Sequence, residues 1–494
     1  GVISSGSRQT RPVYQAGSLL TPFFAAAAFS RGMSPAALVW DVPQDGQTDN
    51  LNPDGRWHGA QSLRRVVENG YLDAVYHTAE TVGFDQVWML ASTLGLDSLK
   101  RSEFAADLAG GGGDTSLLEL GQAFSTFASL GTQNGLLGAD GRIQPTAVLR
   151  VEDAGGQVWL EEQQRVSRPV LDEGLAYLVN DLLDAGASHT GLEIGRPAAV
   201  AVRTAAGGAQ AWTVGYTPER VLVVWVGGSA RAEPAVNKDT ADLEQLSAIS
   251  PALPAGMWMT LMQAASVNLP AGGWERPDNV VQVEVCIPSG QLPTAACPST
   301  APELFLAGSQ PAAYDTLYRI MPVNRRSGLL ATVFTPPDLV VSQTFLDVPA
   351  QYDGWAARQG IAQPPHEYDP LPALPFDPDV NITVPAAAGY ASGQVRVMGT
   401  AAGDGFTAYR LEYGQGLYPR GWKALSEQGL VSVRDAPLGV WDTTGLDGLY
   451  LLRLTVQRAS GETDVAYTQV LVDNVPPAVS ITWPAETESR FTVK

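Results

Sequence analysis

The chain has little of several residue types that particular functions require. Its 494 residues include 2 cysteines and 4 histidines, and only 17% are charged. Lysine and arginine total 31 against 51 acidic residues, which gives a net charge of −20. This acidic balance disfavours nucleic acid and anionic lipid as direct partners. Two thiols without a nearby histidine make a poor zinc site, and we predict neither a metal nor a cofactor.

Long apolar segments are also lacking. The densest cluster, Phe23 to Phe29, is too short to span a bilayer. The chain starts at Gly1 without an initiator Met and without a basic-then-apolar signal region. We therefore expect a processed or incomplete product, and we expect membrane contact only through an anchor upstream of Gly1.

The length and the composition predict a folded protein of two to four domains. Residues 1–275 mix helical and strand patterns, as an α+β domain does. Residues 276–377 are rich in proline and carry short strands, and residues 371–378 form a proline-rich connector. Residues 378–475 read as β throughout, and 476–494 read as a hinge and the start of a second β module.

Hydrophobic periodicity predicts individual elements in these regions. Helical patterns occur at 23–29, 60–79 and 116–130, and Asp114 or Thr115 is available as the N-cap of the third. Strands are predicted at 146–152, 221–226 and 280–285.

The β region shows the alternation of half-buried strands. Tyr450, Leu452, Leu454 and Val456 alternate with more polar neighbours, which indicates a sandwich with one face of each strand buried. Ile382-Thr383-Val384-Pro385 recurs as Ile481-Thr482-Trp483-Pro484, 99 residues later. This spacing favours a second module that begins near the end of the chain.

Cys286 and Cys297 are the only cysteines. A disulfide that closes a short loop would stabilise the fold by roughly 3 kcal/mol in an oxidising compartment. We favour this disulfide over the alternative of two free thiols.

Several ordered segments carry a family resemblance. Trp212-Thr213-Val214-Gly215-Tyr216-Thr217-Pro218 follows the strand that contains Arg203-Thr204-Ala205-Ala206. Earlier segments are 16–23, 57–64 and 111–120, and a Cys-x-x-Ser-Gly pattern begins at Cys286. Their order resembles that of C-type class A penicillin-binding proteins. The resemblance implies an α+β serine transpeptidase or β-lactamase-like domain, then β-rich domains that include an immunoglobulin- or fibronectin-like sandwich.

The same resemblance locates a relict active site. In the family, a Ser-x-x-Lys motif, a Ser-x-Asn motif and a Lys-Thr-Gly strand form its three corners, and here the corresponding residues are Ser18, Thr21, Gly70, Leu72, Arg203, Thr204, Ala205 and Ala206.

All three corners depart from the family pattern. Thr21 stands where a lysine would accept the proton of Ser18, and a threonine hydroxyl is no base at neutral pH. The Ser-x-Asn corner falls at Gly70-Tyr71-Leu72, without the hydroxyl or the amide. Arg203 keeps a charge, but its planar fork does not replace an ammonium. The substitutions predict an inactive transpeptidase site.

Two further chemistries would need residues outside these corners. His58 or His77 would have to act as a displaced base for Ser18, although His58 falls in a structural turn of the family. A calcium loop would need Asp114 and Asp140, which lie beside glycines but lack the ligand spacing of an EF-hand. Turn and loop roles are favoured for all four residues.

We therefore expect an extracytoplasmic pseudo-transpeptidase that serves as a scaffold or binding subunit. Its expected partners are peptidoglycan or envelope proteins, alone or within a larger assembly. The alternative is the C-terminal part of a bifunctional peptidoglycan synthase whose glycosyltransferase domain precedes Gly1.

Overall fold

The computed structural model describes residues 13–44, 47–104, 112–138, 141–146, 150–161, 165–205, 208–227, 249–369 and 377–475. The chain divides into two compact units, residues 1–318 with 347–362 and residues 319–346 with 363–494. The predicted boundaries at 276 and 378 stay predictions.

The first unit combines helices with short antiparallel sheets. Its described helices are α1 (Thr21–Ser30), α2 (Leu63–Asn69), α3 (Leu72–Val82), α4 (Phe84–Thr93), α5 (Leu117–Ala128), α6 (Glu173–Thr190), α7 (Ala252–Ser266) and α8 (Asp353–Arg358). Its described strands are β1 (Tyr14–Gln15), β2 (Leu38–Asp41), β3 (Gly59–Ser62), β4 (Asp114–Thr115), β5 (Thr132–Leu137), β6 (Ile143–Gln144), β7 (Arg150–Glu152), β8 (Val158–Glu161), β9 (Arg165–Pro169), β10 (Ala199–Ala205), β11 (Gln210–Thr217), β12 (Arg220–Gly227), β13 (Val280–Cys286) and β14 (Thr300–Leu306). None of these helices is long and apolar enough to cross a bilayer.

Helix α1 lies at the centre of this unit. It is apolar on all sides, and Phe23, Phe24 and Phe29 are buried. A helix without a polar face is stable only when other elements surround it. The antiparallel sheet β10-β11-β12 and helices α2 to α6 contribute to the same core. The helix predicted at 23–29 is confirmed.

The single helical pattern at 60–79 is wrong in detail. The structure has strand β3, then α2, then α3. Gly70 ends α2 in the left-handed conformation, with φ 66° and ψ 42°, which reverses the chain before α3 begins. The periodicity continues across this break because both helices bury apolar residues against the same core.

The N-cap of α5 is also different from the prediction. Ser116 is the cap, and its Oγ accepts a hydrogen bond from the Glu119 N–H at 3.2 Å. Glu119 Oε2 accepts from the Ser116 N–H at 2.9 Å, which completes a capping box. Asp114 and Thr115 instead form β4, which pairs with β1.

The strand predictions have mixed outcomes. Those at 221–226 and 280–285 are confirmed by β12 and β13. The one at 146–152 is too long at its start, because Thr146 lies outside any strand, and β7 covers only its last three residues. Residues 147–149 lie outside the described part.

Strands β13 and β14 form a hairpin of the first unit. Cys286 ends β13 and is disulfide-bonded to Cys297, with Cα atoms 5.8 Å apart. Val285 and Phe305 of the hairpin pack against Ala36. The hairpin is therefore built into the core of this unit.

The second unit is mostly β. Its strands are β15 (Tyr318–Asn324, whose first residue belongs to the first unit), β16 (Val340–Leu346), β17 (Val380–Val384), β18 (Gly389–Ala391), β19 (Gln394–Ala401), β20 (Phe406–Gln415), β21 (Lys423–Ala424), β22 (Val433–Asp442), β23 (Gly448–Arg458) and β24 (Thr463–Val472).

Two sheets of this unit form a sandwich. Their strand orders are β17-β19-β22 and β18-β24-β23-β20-β21. Leu452, Leu454 and Val456 of β23 share a core with Val397 and Trp441 of the other sheet. The sandwich is confirmed, and its immunoglobulin or fibronectin type stays a prediction. The connector at 371–376 and the repeat at 481–484 lie outside the described residues.

Candidate active site

Ser18 is fixed at the entrance to α1. The N–H groups of Ala16 and Gly17 donate to Gly113 O at 2.8 Å and to Gly112 O at 3.0 Å. A 3₁₀ turn over Gly17–Leu20 then leads into the helix, and Ser18 is 5% exposed. The position predicted for the nucleophile is thus rigid and nearly closed to solvent.

The hydroxyl of Ser18 is not hydrogen-bonded to a base within the part of the chain that the structure describes. Thr21 Oγ1 donates to the backbone oxygen of Ser18 at 2.9 Å, which is a bond within the helical turn. Among the described residues, no group forms a hydrogen bond with Ser18 Oγ. Acyl transfer through a serine uses a base within hydrogen-bond reach of the hydroxyl.

Strand β10 holds Arg203 through a closely packed sheet. Arg203 pairs with Trp212 of β11, whose indole N–H donates to Gln15 O at 2.9 Å. A Cβ on Gly215 would lie 2.4 Å from the ring of Trp258, so only glycine fits there. The Trp-x-x-Gly segment that resembles the family therefore has a packing role that fixes β10.

The guanidinium of Arg203 binds the C-terminal end of α2. Its Nη2 donates to Val67 O at 2.7 Å and to Glu68 O at 3.2 Å, and its Nη1 donates to Val202 O at 2.9 Å. The last carbonyls of a helix lack intrahelical partners and carry partial negative charge. Arg203 donates to two of them, and Val67 O also accepts from the Gly70 N–H at 3.3 Å.

Gly70 lies directly against both other corners. A Cβ on this residue would be 3.4 Å from Arg203 Nε and 3.6 Å from Ser18 Cβ. Ser18, Gly70 and Arg203, which are far apart in sequence, therefore come together as the resemblance implied. A serine at position 70 would also be strained, because the backbone φ is positive.

Burial disfavours the charged form of Arg203. It lowers the pKa of the guanidinium to about 10, against the opposing effect of Glu68. The group therefore remains cationic at neutral pH. Arg203 Nε has no hydrogen-bond partner among the described residues.

The remaining predicted residues are less directly involved. Leu72 begins α3 and is half-buried. Ala205 shares the core-facing side of β10 with Arg203, and Thr204 lies on the opposite face by strand alternation. Ala206 lies outside the described residues.

A polar network next to the site was not expected from the sequence. His58 Nδ1 is 2.6 Å from Asp41 Oδ2, and His58 Nε2 is 3.0 Å from Asp54 Oδ2. The His58 ring stacks on Tyr71 at 3.9 Å, next to Gly70. Burial, with the charges of Asp54 and Asp41, raises the pKa of Tyr71. Both ring nitrogens of His58 contact carboxylates, so neither is available to Ser18.

The other candidate for a displaced base is His77, whose buried Nε2 has no hydrogen-bond partner among the described residues. His77 Nδ1 lies 3.6 Å from Glu80 Oε2, a neighbour on its own helix. Asp114 is part of β4, and Asp140 is outside the described residues. Within the described ranges, no group of three or more His, Cys, Asp or Glu is arranged to hold a metal ion.

Comparison with known proteins agrees with this architecture. Residues 276–320 match the family model for the C-terminal domain of penicillin-binding protein 1A. Penicillin-binding protein 1A of Vibrio cholerae is 26% identical over 366 residues, which cover 62% of this chain and 42% of that protein. The homologue from Clostridium botulinum is 28% identical over 246 residues, or 47% of this chain and 27% of that protein. The chain is similar to class A penicillin-binding proteins over these regions.

A solved structure supports the fold of the chain. The crystal structure of penicillin-binding protein 1A from Haemophilus influenzae superposes with a TM-score of 0.50 at 20% identity. The match covers 62% of this chain and 50% of that chain. The multidomain α+β fold is thus confirmed, and the chain spans less than half the length of the curated relatives above.

Proposed function

We propose that this chain is a catalytically inactive penicillin-binding relative that acts as a scaffold or binding subunit of the cell envelope. The observation that supports it most strongly is the contact between Arg203 and the end of α2. Arg203, at a position where the family has a lysine, donates to backbone carbonyls, and no described residue forms a hydrogen bond with Ser18 Oγ. Loss of a general base alone typically slows a reaction by about 10²- to 10⁴-fold.

The direct test is covalent labelling by a fluorescent penicillin. The purified chain, its Ser18→Ala variant and an active class A penicillin-binding protein are incubated with the label and compared by gel fluorescence and intact mass. We expect labelling of the active protein only. A stoichiometric adduct on this chain that disappears in S18A would overturn the proposal.

The binding role is tested separately. Insoluble peptidoglycan is sedimented with the chain, and chemical cross-linking in envelope fractions reports protein partners or a larger assembly. We expect peptidoglycan or an envelope protein to retain the chain. Absence of both would contradict the scaffold role while leaving the labelling result intact.

We also propose an extracytoplasmic location. The Cys286–Cys297 disulfide supports it, because such bonds persist in oxidising compartments. Alkylation of free thiols before and after reduction, in fractionated cells, tests it. Labelling of both cysteines without reduction would contradict this location.

A second candidate function is that of the C-terminal part of a bifunctional peptidoglycan synthase. The observation in its favour is that the curated relatives are more than twice as long as the matched part. Glycan polymerisation by the product of the complete coding sequence would support it. A product without such activity would contradict this second candidate and leave the scaffold role as the proposed function.

A further inference from the structure

A polar cavity of about 390 Å³ lies in the first unit, and no residue of the relict site lines it. It is lined by residues of α4, α5 and the sheet β6-β5-β9 and is partly open to solvent. Its lining includes Gly95, Gln122, Gln133, Ile143, Arg142 and Arg168. This volume falls within the range of about 300–1,000 Å³ that small-molecule sites occupy.

The floor and the rim of this cavity carry complementary groups. Gln133 and Arg168 are directly opposite each other in the β5-β9 pair, so their side chains lie on the same face of the sheet. Gln133 is 6% exposed and forms part of the floor, whereas Arg168 is exposed at the rim. A buried amide therefore lies beside a solvent-accessible cation.

Two amide oxygens in the cavity are available as acceptors. Gln122 Nε2 donates to Ile143 O at 2.7 Å, and Gln133 Nε2 makes a long contact of 3.4 Å to Leu94 O. These carbonyl partners fix the orientation of both amides, since only the NH₂ group can donate. Among the described residues, neither Oε1 atom has a hydrogen-bond partner.

The other charged groups in the cavity already have partners. Glu119 accepts from the backbone and hydroxyl of Ser98 and from the N–H of Ser116. Arg142 forms an ion pair with Asp97. Arg168 has no ion-pair partner within the described ranges. Among the described lining groups, the cavity thus offers Arg168 as a cation without an ion-pair partner and the amide oxygens of Gln122 and Gln133 as acceptors.

We propose that this cavity binds an α-amino acid or the C-terminal residue of a short peptide. The ligand carboxylate contacts the Arg168 guanidinium in the bidentate manner that this pair favours. Its N–H groups donate to the Oε1 atoms of Gln122 and Gln133. The lining has no aromatic ring, so a sugar would find no stacking surface. The proposal does not depend on whether Ser18 is reactive.

The test is titration calorimetry on the full chain with alanine and with N-acetyl-alanyl-alanine, which separate the two sources of this chemistry. N-acetyl-alanyl-alaninamide, which lacks the carboxylate, is the ligand control. We expect at least one of the first two to bind at millimolar concentration, and the amide to bind at least about tenfold more weakly.

Variants locate the site. Arg168→Ala should weaken binding about tenfold or more, and Gln133→Glu should do the same by placing a carboxylate beside that of the ligand. Arg165→Ala is the matched control, because Arg165 is exposed on the same strand but does not line the cavity. Circular dichroism checks that each variant folds. Failure of both acids to bind, or equal affinity in R168A and the wild type, would overturn the proposal.

Discussion

Two arginines lie at opposite ends of the short helix α2, and their hydrogen-bond partners differ. Arg64, in the first turn, places Nε 2.7 Å from Glu303 Oε2 and Nη2 2.6 Å from Asp181 Oδ2. Arg203, at the other end, forms its hydrogen bonds with backbone carbonyls only. One cation is neutralised by carboxylates, and the other is held by the end of a helix.

The difference shows that the same residue type joins separate elements in one place and fills the space in the relict site in the other. Arg64 joins α2 to α6 and β14, and so ties the β13-β14 hairpin to the first unit's core. Arg203 joins β10 to α2 and fills the space between two corners of the relict site. The contacts of Arg64 depend on charge pairing, whereas those of Arg203 depend on backbone carbonyls at the end of a helix.

The largest expected loss of stability comes from removing the ion pairs of Arg64. Arg64→Met leaves Glu303, which is 5% exposed, without its cation. Removal of one partner of a buried pair costs about 3–5 kcal/mol, and urea unfolding should show that loss of stability. The double variant R64M/E303Q should recover part of it. A loss below about 1 kcal/mol would mean that the pair does not hold the hairpin.

Removing the hydrogen bonds of Arg203 should lower the stability by a smaller amount. Arg203→Ala removes hydrogen bonds to backbone carbonyls, which carry no net charge, so no unpaired ion is left buried. We expect a loss of about 1.5–3 kcal/mol in urea unfolding, with Arg203→Met as the control for side-chain packing. Destabilisation as great as that of R64M would show that the two ends are equivalent.

Glu68 lies between the two arginines and tests whether they are independent. Its Oε1 is 3.7 Å from Arg64 Nη1, and its charge opposes the lowering of the Arg203 pKa. A double-mutant cycle on R64M and R203A should give a coupling of about 0.5 kcal/mol that disappears in a Glu68→Gln background. Strict additivity in both backgrounds would show that the helix ends act separately.

Sequence reasoning identified the corners of the site but not what they do. Ser18, Gly70 and Arg203 are singled out by resemblance, and the structure brings them together. The bonds from Arg203 to Val67 and Glu68 were not predictable, because they depend on where α2 ends. Helix α2 ends at Gly70, and the sequence did not reveal this end because the apolar pattern continues across it.

Local and long-range contacts differ in how visible they are in the sequence. The cap at Ser116 had a local signal, since a serine three residues before a glutamate is the pattern of a capping box. The Arg64–Glu303 pair had none, because its members are 239 residues apart. A contact at that separation is set by tertiary packing and leaves no periodicity in the sequence.

The smallest expected effect concerns the contact between Asp54 and His58, which faces water. The Asp54 side chain is 50% exposed and lies 3.0 Å from His58 Nε2. Burial opposes the shift, but the hydrogen bonds from the Arg56 N–H and from His58 lower the pKa of Asp54 below 3.8. Because the pKa is lower in the folded state, the contact stabilises the fold above pH 3.8, and this stabilisation is lost as the pH falls through the folded value.

Asp54→Asn should therefore cost only about a few tenths of a kcal/mol near neutral pH, as exposed pairs do. The difference from the wild type, measured by urea unfolding, should vanish in acid, where Asp54 is protonated in both states. A difference that persists in acid would mean that Asp54 acts through hydrogen-bond geometry instead of charge. The expected ratio between this loss and that of R64M follows from solvent: a similar contact distance is worth several-fold more when water is excluded from the carboxylate.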